Sequence, residues 1–222
     1  MSGVSSFEIF AGIFDGFRIT ATVTALGALY AIPFALVFGM AQYLTTGGVR
    51  LAITAIIEFW RSSAVIILLF LFYYVLPVVG IHLSAITVSS MVLGLNTGGY
   101  GSQAVRAGLQ SLERGQVEAA LALGLRRGHA LYLIELPQAL RRMAPAFVNL
   151  FIQLIKGTAL VSLVTLTDMT FRAKEIAELS YNPIGVYTSL LLAYFVVCYP
   201  VTVFGRWLEQ HMGQGRELTH EL

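Results

Sequence analysis

The residue best equipped for chemistry in this chain is a cation in an oily setting. Lys156 interrupts the apolar run from Met143 to Leu166, where an ammonium group is costly and serves either a function or the structure itself. Helical offsets of four and seven return to nearly one face, so Asn149, Gln153 and Lys156 form a polar stripe. The same offsets align Ser89, Asn96, Tyr100 and Gln103 in a glycine-rich stretch. Such faces avoid lipid, and two of them can line one polar path in which Lys156 attracts a carboxylate. The structural alternative is that Lys156 snorkels, or pairs with a carbonyl or an acid to hold the helices together. Glu58 and Arg61, three residues apart, can pair and act as an anchor or a gate.

Little else is suited to a reaction. The buried polar residues are amides and one lysine, without a base and an orienting acid. His82, His129, His211 and His220 show no ligand spacing with each other or with Cys198, so no metal site is expected. Cys198 lies in an apolar run and is expected simply to pack. No Gly-Lys-Ser or Gly-Lys-Thr phosphate loop occurs, so nucleotide binding is not expected on this chain.

Composition sets the medium in which these residues act. Hydrophobic residues make up 57% and charged residues 12%, against about 25% charged in soluble domains, and the mean hydropathy is +0.76. An integral membrane protein of one domain, residues 1–222, follows. The net charge of +2, spread along loops, argues against nucleic acid as a partner; lipid surrounds the chain instead. The first uncharged run, Ile19 to Leu44, spans 26 residues and would extend about 39 Å as a helix, enough to cross a bilayer with tilt. It is expected to be retained, since the N-terminus lacks the features of a removed signal peptide. Further spans are expected at 62–81, 85–105, 143–166 and 184–208. The third is less oily, and its Gly94 and Gly98 suit close packing inside a bundle.

Five spans put the termini on opposite sides. Arg50, Arg61, Arg106, Arg114, Arg126, Arg127, Arg141, Arg142, Arg206 and Arg216 fall on one side, and Arg18, Arg172 and Lys174 on the other. Basic residues accumulate in cytoplasmic loops, so the N-terminus is predicted outside, the C-terminus inside, and the loop 106–142 in the cytoplasm. Within that loop Val117 to Leu123 is rich in helix formers, with Glu118 expected to complement the helix dipole. Gly124 is expected to end the helix in a left-handed turn or to allow close backbone approach. An Ala-rich helix of this kind can enter a groove on another protein. It can also lie alone at the membrane interface.

The loop carries a spaced pattern: Glu118-Ala119-Ala120, then Gly124, then Ile134 and Leu136-Pro137. It resembles the cytoplasmic loop of the membrane subunits of binding-protein-dependent ABC importers. Glu58-Phe59-Trp60-Arg61, Tyr73-Tyr74-Val75-Leu76-Pro77, Leu93-Gly94-Leu95-Asn96 and Leu154-Ile155-Lys156-Gly157-Thr158-Ala159-Leu160 resemble the permeases for polar amino acids. That family includes importers of histidine, arginine, glutamine, glutamate and opines, and of ectoine. The sequence departs from it in three places: Ser62-Ser63-Ala64 stands where Gly-Thr-Pro is usual, Gln103 where Glu is usual, and Gly157 where an acid or Asn is common.

The resemblance implies an all-α, five-helix type I ABC importer permease in the bacterial cytoplasmic membrane. It implies that Glu118, Ala119, Ala120, Leu121, Leu123 and Gly124 couple to an ATPase subunit, which would carry ATP and Mg; no cofactor is expected on this chain. It further implies an extracytoplasmic solute-binding protein and a second permease copy or paralogue. The segment Thr167 to Asn182, with Asp168, Arg172, Lys174, Glu175 and Glu178, would be either a docking platform for the binding protein or an ordinary solvated loop. The competing functions are a membrane-embedded transferase, which lacks a catalytic cluster, and a secondary transporter, which would be expected to show an internal inverted repeat.

Overall fold

The computed structural model describes residues 6–213; the predicted cytoplasmic Arg216 and the histidine His220 lie outside them. Among the described residues every regular element is helical. Helix α1 (Ser6–Phe14) leads through a short turn into α2 (Phe17–Leu44), which continues unbroken past Pro33. Next come α3 (Gly47–Ser62) and α4 (Val65–Phe70), the latter prolonged by a π-turn at Leu71–Val75 and a 3-10 turn at Leu76–Val79. Helix α5 (Ala85–Gln110) starts at Ser84, whose hydroxyl accepts from the Thr87 N–H at 3.1 Å. Two short helices follow, α6 (Arg114–Ala122) and α7 (Arg127–Ala130). A π-turn at Leu131–Glu135 then opens α8 (Leu136–Gly157), which tightens into a 3-10 turn at Thr158–Val164. The chain ends in α9 (Met169–Ser180) and α10 (Pro183–Gly213).

Among the described residues three stretches are long and apolar enough to cross a membrane: Phe7–Leu44, Arg127–Val164 and Pro183–His211. The predicted second span, 62–81, is only half of a broken pair, because α3 and α4 meet at 93°. The break falls at Ser63-Ala64, where extended backbone ends α3. The predicted third span is α5, longer than expected at 26 residues but not apolar enough to pass on composition. Its burial explains why. Ser89, Ser90, Gly94, Gly98, Gly99, Gly101 and Ser102 are all buried, so α5 faces protein on most sides and has no need of an oily surface.

Small residues let α2 and α5 approach. A Cβ added at Gly94 would run into the Gly27 carbonyl and meet the Tyr30 Cβ at 2.8 Å, and one at Gly98 would lie 3.0 Å from the Ala31 carbonyl. The small-xxx-small pair expected on α5 thus meets Gly27 and Ala31 on α2, and Gly101 continues the seam against Ala35, so that the α2 residues are spaced four apart. Apolar clusters flank this seam. Val23, Leu68, Leu69, Val92 and Leu154 fill one, and Val105, Leu109, Leu131 and Met143 fill another. A third, Ile9, Ile13, Met169, Ala173 and Val186, binds α1 to α9 and α10.

The predicted loop 106–142 is shorter than expected. Helix α5 runs on to Gln110 and helical structure resumes at Arg127, leaving 111–126 as the connection. Hydropathy misses these extensions because they are amphipathic: Ala139 and Met143 are buried while Arg141 and Arg142 are exposed.

Candidate functional site

The connection between α5 and α8 forms a knob. Helix α6 ends in a Schellman motif: Leu125 N–H donates to the Ala120 carbonyl at 3.1 Å and Gly124 N–H to the Leu121 carbonyl at 3.0 Å. Gly124 has φ +84°, the left-handed conformation that glycine adopts without strain. Of the two options the sequence left open, close approach is not the one used within the chain, since nothing lies within 4 Å of a Cβ added there. Ala120 is buried against the bundle, whereas Glu118, Ala119 and Leu121 point outward and Leu123 is 85% exposed. One expectation is corrected. Helix α6 begins at Arg114 and has no acid in its first turn, so Glu118 lies beyond the turn in which the dipole acts.

The knob is rooted at three points. Arg142 donates to the carbonyl of Ser111, and to its hydroxyl at 3.1 Å, capping the end of α5. Gln138 donates to Gln116 Oε1 at 2.8 Å. The third root escapes the sequence pattern, which passes over the residue between Ile134 and Leu136. Glu135 is 1% exposed and pairs through both oxygens with Arg127, the second contact being 3.1 Å. Tyr43 Oη donates to Glu135 Oε2 at 2.9 Å, and the Arg127 guanidinium lies 5.5 Å from the Tyr43 ring centroid. The available signal was an isolated acid in an apolar run, since no other Asp or Glu occurs between Glu118 and Asp168.

The polar residues of α5 serve the bend between α3 and α4. Where α3 stops, its last carbonyls lose intrahelical partners. Asn96 Nδ2 donates to the Trp60 carbonyl at 2.8 Å and Tyr100 Oη to the Arg61 carbonyl at 3.2 Å. Glu58 and Arg61 pair at 3.2 Å, Ser62 donates to Glu58 at 3.0 Å, and the Arg61 guanidinium lies 5.9 Å from the Tyr100 ring centroid. Gln103 donates to Gln42 Oε1 at 3.1 Å, and Gln42 to Thr54 at 2.8 Å. Asn96, Tyr100 and Gln103 therefore tie α5 to α2 and α3.

Helix α8 presents the other face. Asn149, Gln153 and Lys156 are exposed and have no hydrogen-bond or ionic partner among the described residues. Lys156 borders a groove of about 800 Å³ between α8 and α10, lined also by Tyr199, Thr202 and Arg206. No hydrogen bond among the described residues joins this stripe to the polar residues of α5.

At the opposite end Asp168 is the buried member of the expected charged platform, while Arg172, Lys174 and Glu175 are partly exposed and Glu178 is exposed. Asp168 is fully buried and caps α9, accepting from Phe171 N–H at 2.9 Å and Thr170 N–H at 3.1 Å. Burial pushes its carboxyl above the ordinary range, partly offset by these hydrogen bonds. Lys174 donates to Ser162 at 3.1 Å and Arg172 pairs with Glu175 at 3.0 Å. The segment is a packed helix rather than a solvated loop, because Met169 and Ala173 seat it on α1 and α10.

Known proteins give this arrangement a context. A probable amino-acid ABC transporter permease of Sinorhizobium fredii is 34% identical over 206 residues, 88% of this chain and 87% of the relative. A probable glutamine ABC transporter permease of Bacillus subtilis is 31% identical over 210 residues, 93% and 96% of the two chains. The crystal structure of an amino acid ABC transporter with histidines superposes with a TM-score of 0.77 at 26% identity, covering 91% of this chain and 94% of that one. The inward-facing MetNI methionine ABC transporter shares the fold, with a TM-score of 0.76 at 20% identity over 90% and 95% of the two chains. These relatives are permease subunits, not enzymes. Residues 31–214 match the family described as "Binding-protein-dependent transport system inner membrane component", and the chain belongs to that family of multi-pass inner-membrane permeases.

Proposed function

We propose that this chain is the single-domain permease subunit of an ATP-driven importer for polar amino acids or amino-acid-like compounds such as ectoine. Relatives named for amino-acid and glutamine transport support the cargo class. The observation that carries the mechanism is the knob: a short helix rooted in the bundle, closed by a left-handed glycine, with Leu121 and Leu123 exposed. Exposed leucines on a stiff element outside the apolar spans suit a cleft on another protein. That protein would be an ATPase subunit holding ATP and Mg, touching Glu118, Ala119, Leu121, Leu123 and Gly124.

The exposed stripe of Asn149, Gln153 and Lys156 needs a polar cover inside the membrane. A second copy or paralogue facing it across a water-filled path supplies one, and there Lys156 meets the cargo carboxylate. Asn96, Tyr100 and Gln103 hold the bend beside that path, and Glu58 with Arg61 anchors it where the end of α3 meets the middle of α5. A solute-binding protein delivers cargo at the opposite end, near Arg172, Glu175 and Glu178. The test is uptake into proteoliposomes of glutamine, histidine, arginine and ectoine by the purified complex, with and without ATP. ATP-dependent uptake of at least one is expected. Uptake by this chain without an ATPase overturns the proposal in favour of a secondary transporter.

A further inference from the structure

A knob that passes movement into a membrane bundle must be locked at its rear, or the stroke is lost in the connection. The three roots are not equivalent in this respect. Gln138–Gln116 is a neutral, exposed contact, and the Arg142 contact is exposed and caps only the end of α5. The cluster of Tyr43, Arg127 and Glu135 joins three elements around one buried carboxylate, that of Glu135. Tyr43 is the penultimate residue of α2, Arg127 the first residue of α7 behind the knob, and Glu135 the last residue of the π-turn that opens α8.

Its chemistry permits little play. Both carboxylate oxygens of Glu135 are engaged by one guanidinium, and the Tyr43 hydroxyl takes a further lone pair. A planar fork on a carboxylate fixes orientation as well as distance, and the tyrosine ring supports the cation from its face. A buried carboxylate cannot part from its cation without a large penalty, so the three elements are held to one arrangement. The π-turn reinforces the assignment. One extra residue rotates what precedes it by about 100° relative to α8, and such turns concentrate at functional positions.

Resting on the coupling reading above, we propose that Tyr43, Arg127 and Glu135 are positioning residues that form the fulcrum of the knob, transmitting its displacement to the end of α2 and the start of α8. A solely stabilising role would lower the amount of complex and leave the efficiency of each complex unchanged. The experiment therefore measures molecules imported per ATP hydrolysed, in proteoliposomes containing the full complex with its ATPase and binding protein. Glu135→Gln keeps size and hydrogen-bonding capacity while removing the charge, and Tyr43→Phe removes only the hydroxyl. Each is also made with Leu123→Cys carrying a benzophenone photo-cross-linker, which reports docking to the ATPase.

The expected result is preserved cross-linking and basal ATP hydrolysis, with import per ATP lowered at least about fivefold in Glu135→Gln, the lower end of typical coupling effects. A smaller loss is expected in Tyr43→Phe. Cross-linking with an unchanged ratio in both variants overturns the fulcrum while leaving docking intact. Absence of the cross-link in the otherwise unaltered protein overturns the coupling reading itself. If Glu135→Gln fails to assemble, Tyr43→Phe decides, and an unchanged ratio there overturns the proposal.

Discussion

Gly124 separates what a residue does within its own chain from what it does for a partner. An aspartate there meets open space in this chain, so the internal cost is that of left-handed backbone, about 1–2 kcal/mol. Gly124→Asp is expected to insert and fold, to lose stimulation of the ATPase, and to abolish uptake; assays of both activities on the reconstituted complex check this. Asp168 acts wholly inside the chain. Its alanine variant should cost about 0.5–2 kcal/mol through loss of the helix cap. Because burial raises its folded pKa above the unfolded value, the folded state holds the proton more tightly. That contribution is complete below the unfolded pKa and is lost as pH rises through the folded one. Thermal unfolding in detergent from about pH 4 to 7 should therefore show a downward trend, relative to Asp168→Asn, in which this group no longer titrates. Neither the burial of Asp168 nor the pairing of Glu135 was legible in the sequence, because each depends on elements far away along the chain.

The α2–α5 seam is where element packing is least forgiving. A methyl group at Gly94 runs into the backbone of Gly27, and rigid backbone cannot move aside as a flexible side chain can. Gly94→Ala should destabilise the bundle by about 1–3 kcal/mol, the usual cost of overpacking. Gly48→Ala, in the first turn of α3 with nothing within 4 Å, should be neutral or slightly stabilising through helix propensity. Comparing unfolding midpoints of the two variants tests the seam directly. The glycines of α5 were legible as a packing face, whereas the matching ladder on α2 was hidden by the apolar residues around it. The bend between α3 and α4 was hidden for a related reason. Hydropathy averages over Ser62-Ser63-Ala64, while the 93° turn depends on α5 side chains receiving the freed carbonyls.

For the molecule as a whole the decisive property is sidedness. The C-terminal end of α2, the knob and the start of α8 meet at one end, which holds most of the arginines, and Asp168 with its partners lies at the other. A Cys introduced at Leu123, 85% exposed, in a background with Cys198→Ser should react with a membrane-impermeant maleimide in inside-out vesicles only. Labelling in right-side-out vesicles only would reverse the orientation drawn from basic residues. Cys198 is buried between helices, so its removal should leave the assay undisturbed.

The sequence by itself determined the helical membrane class, most of the apolar segments and the position of the knob. These depend on local composition, helical period and the spacing of a few residues. Tertiary structure decided which polar faces are used up and which remain open. Asn96 and Tyr100 look like path residues along the chain, yet they serve the carbonyls of a broken helix, while Asn149, Gln153 and Lys156 stay unpartnered among the described residues. It also decided the root of the knob, because Tyr43 and Glu135 are 92 positions apart and only the packing of α2 beside α8 brings a hydroxyl to a carboxylate. Periodicity specifies a face; what that face meets is fixed by the other helices.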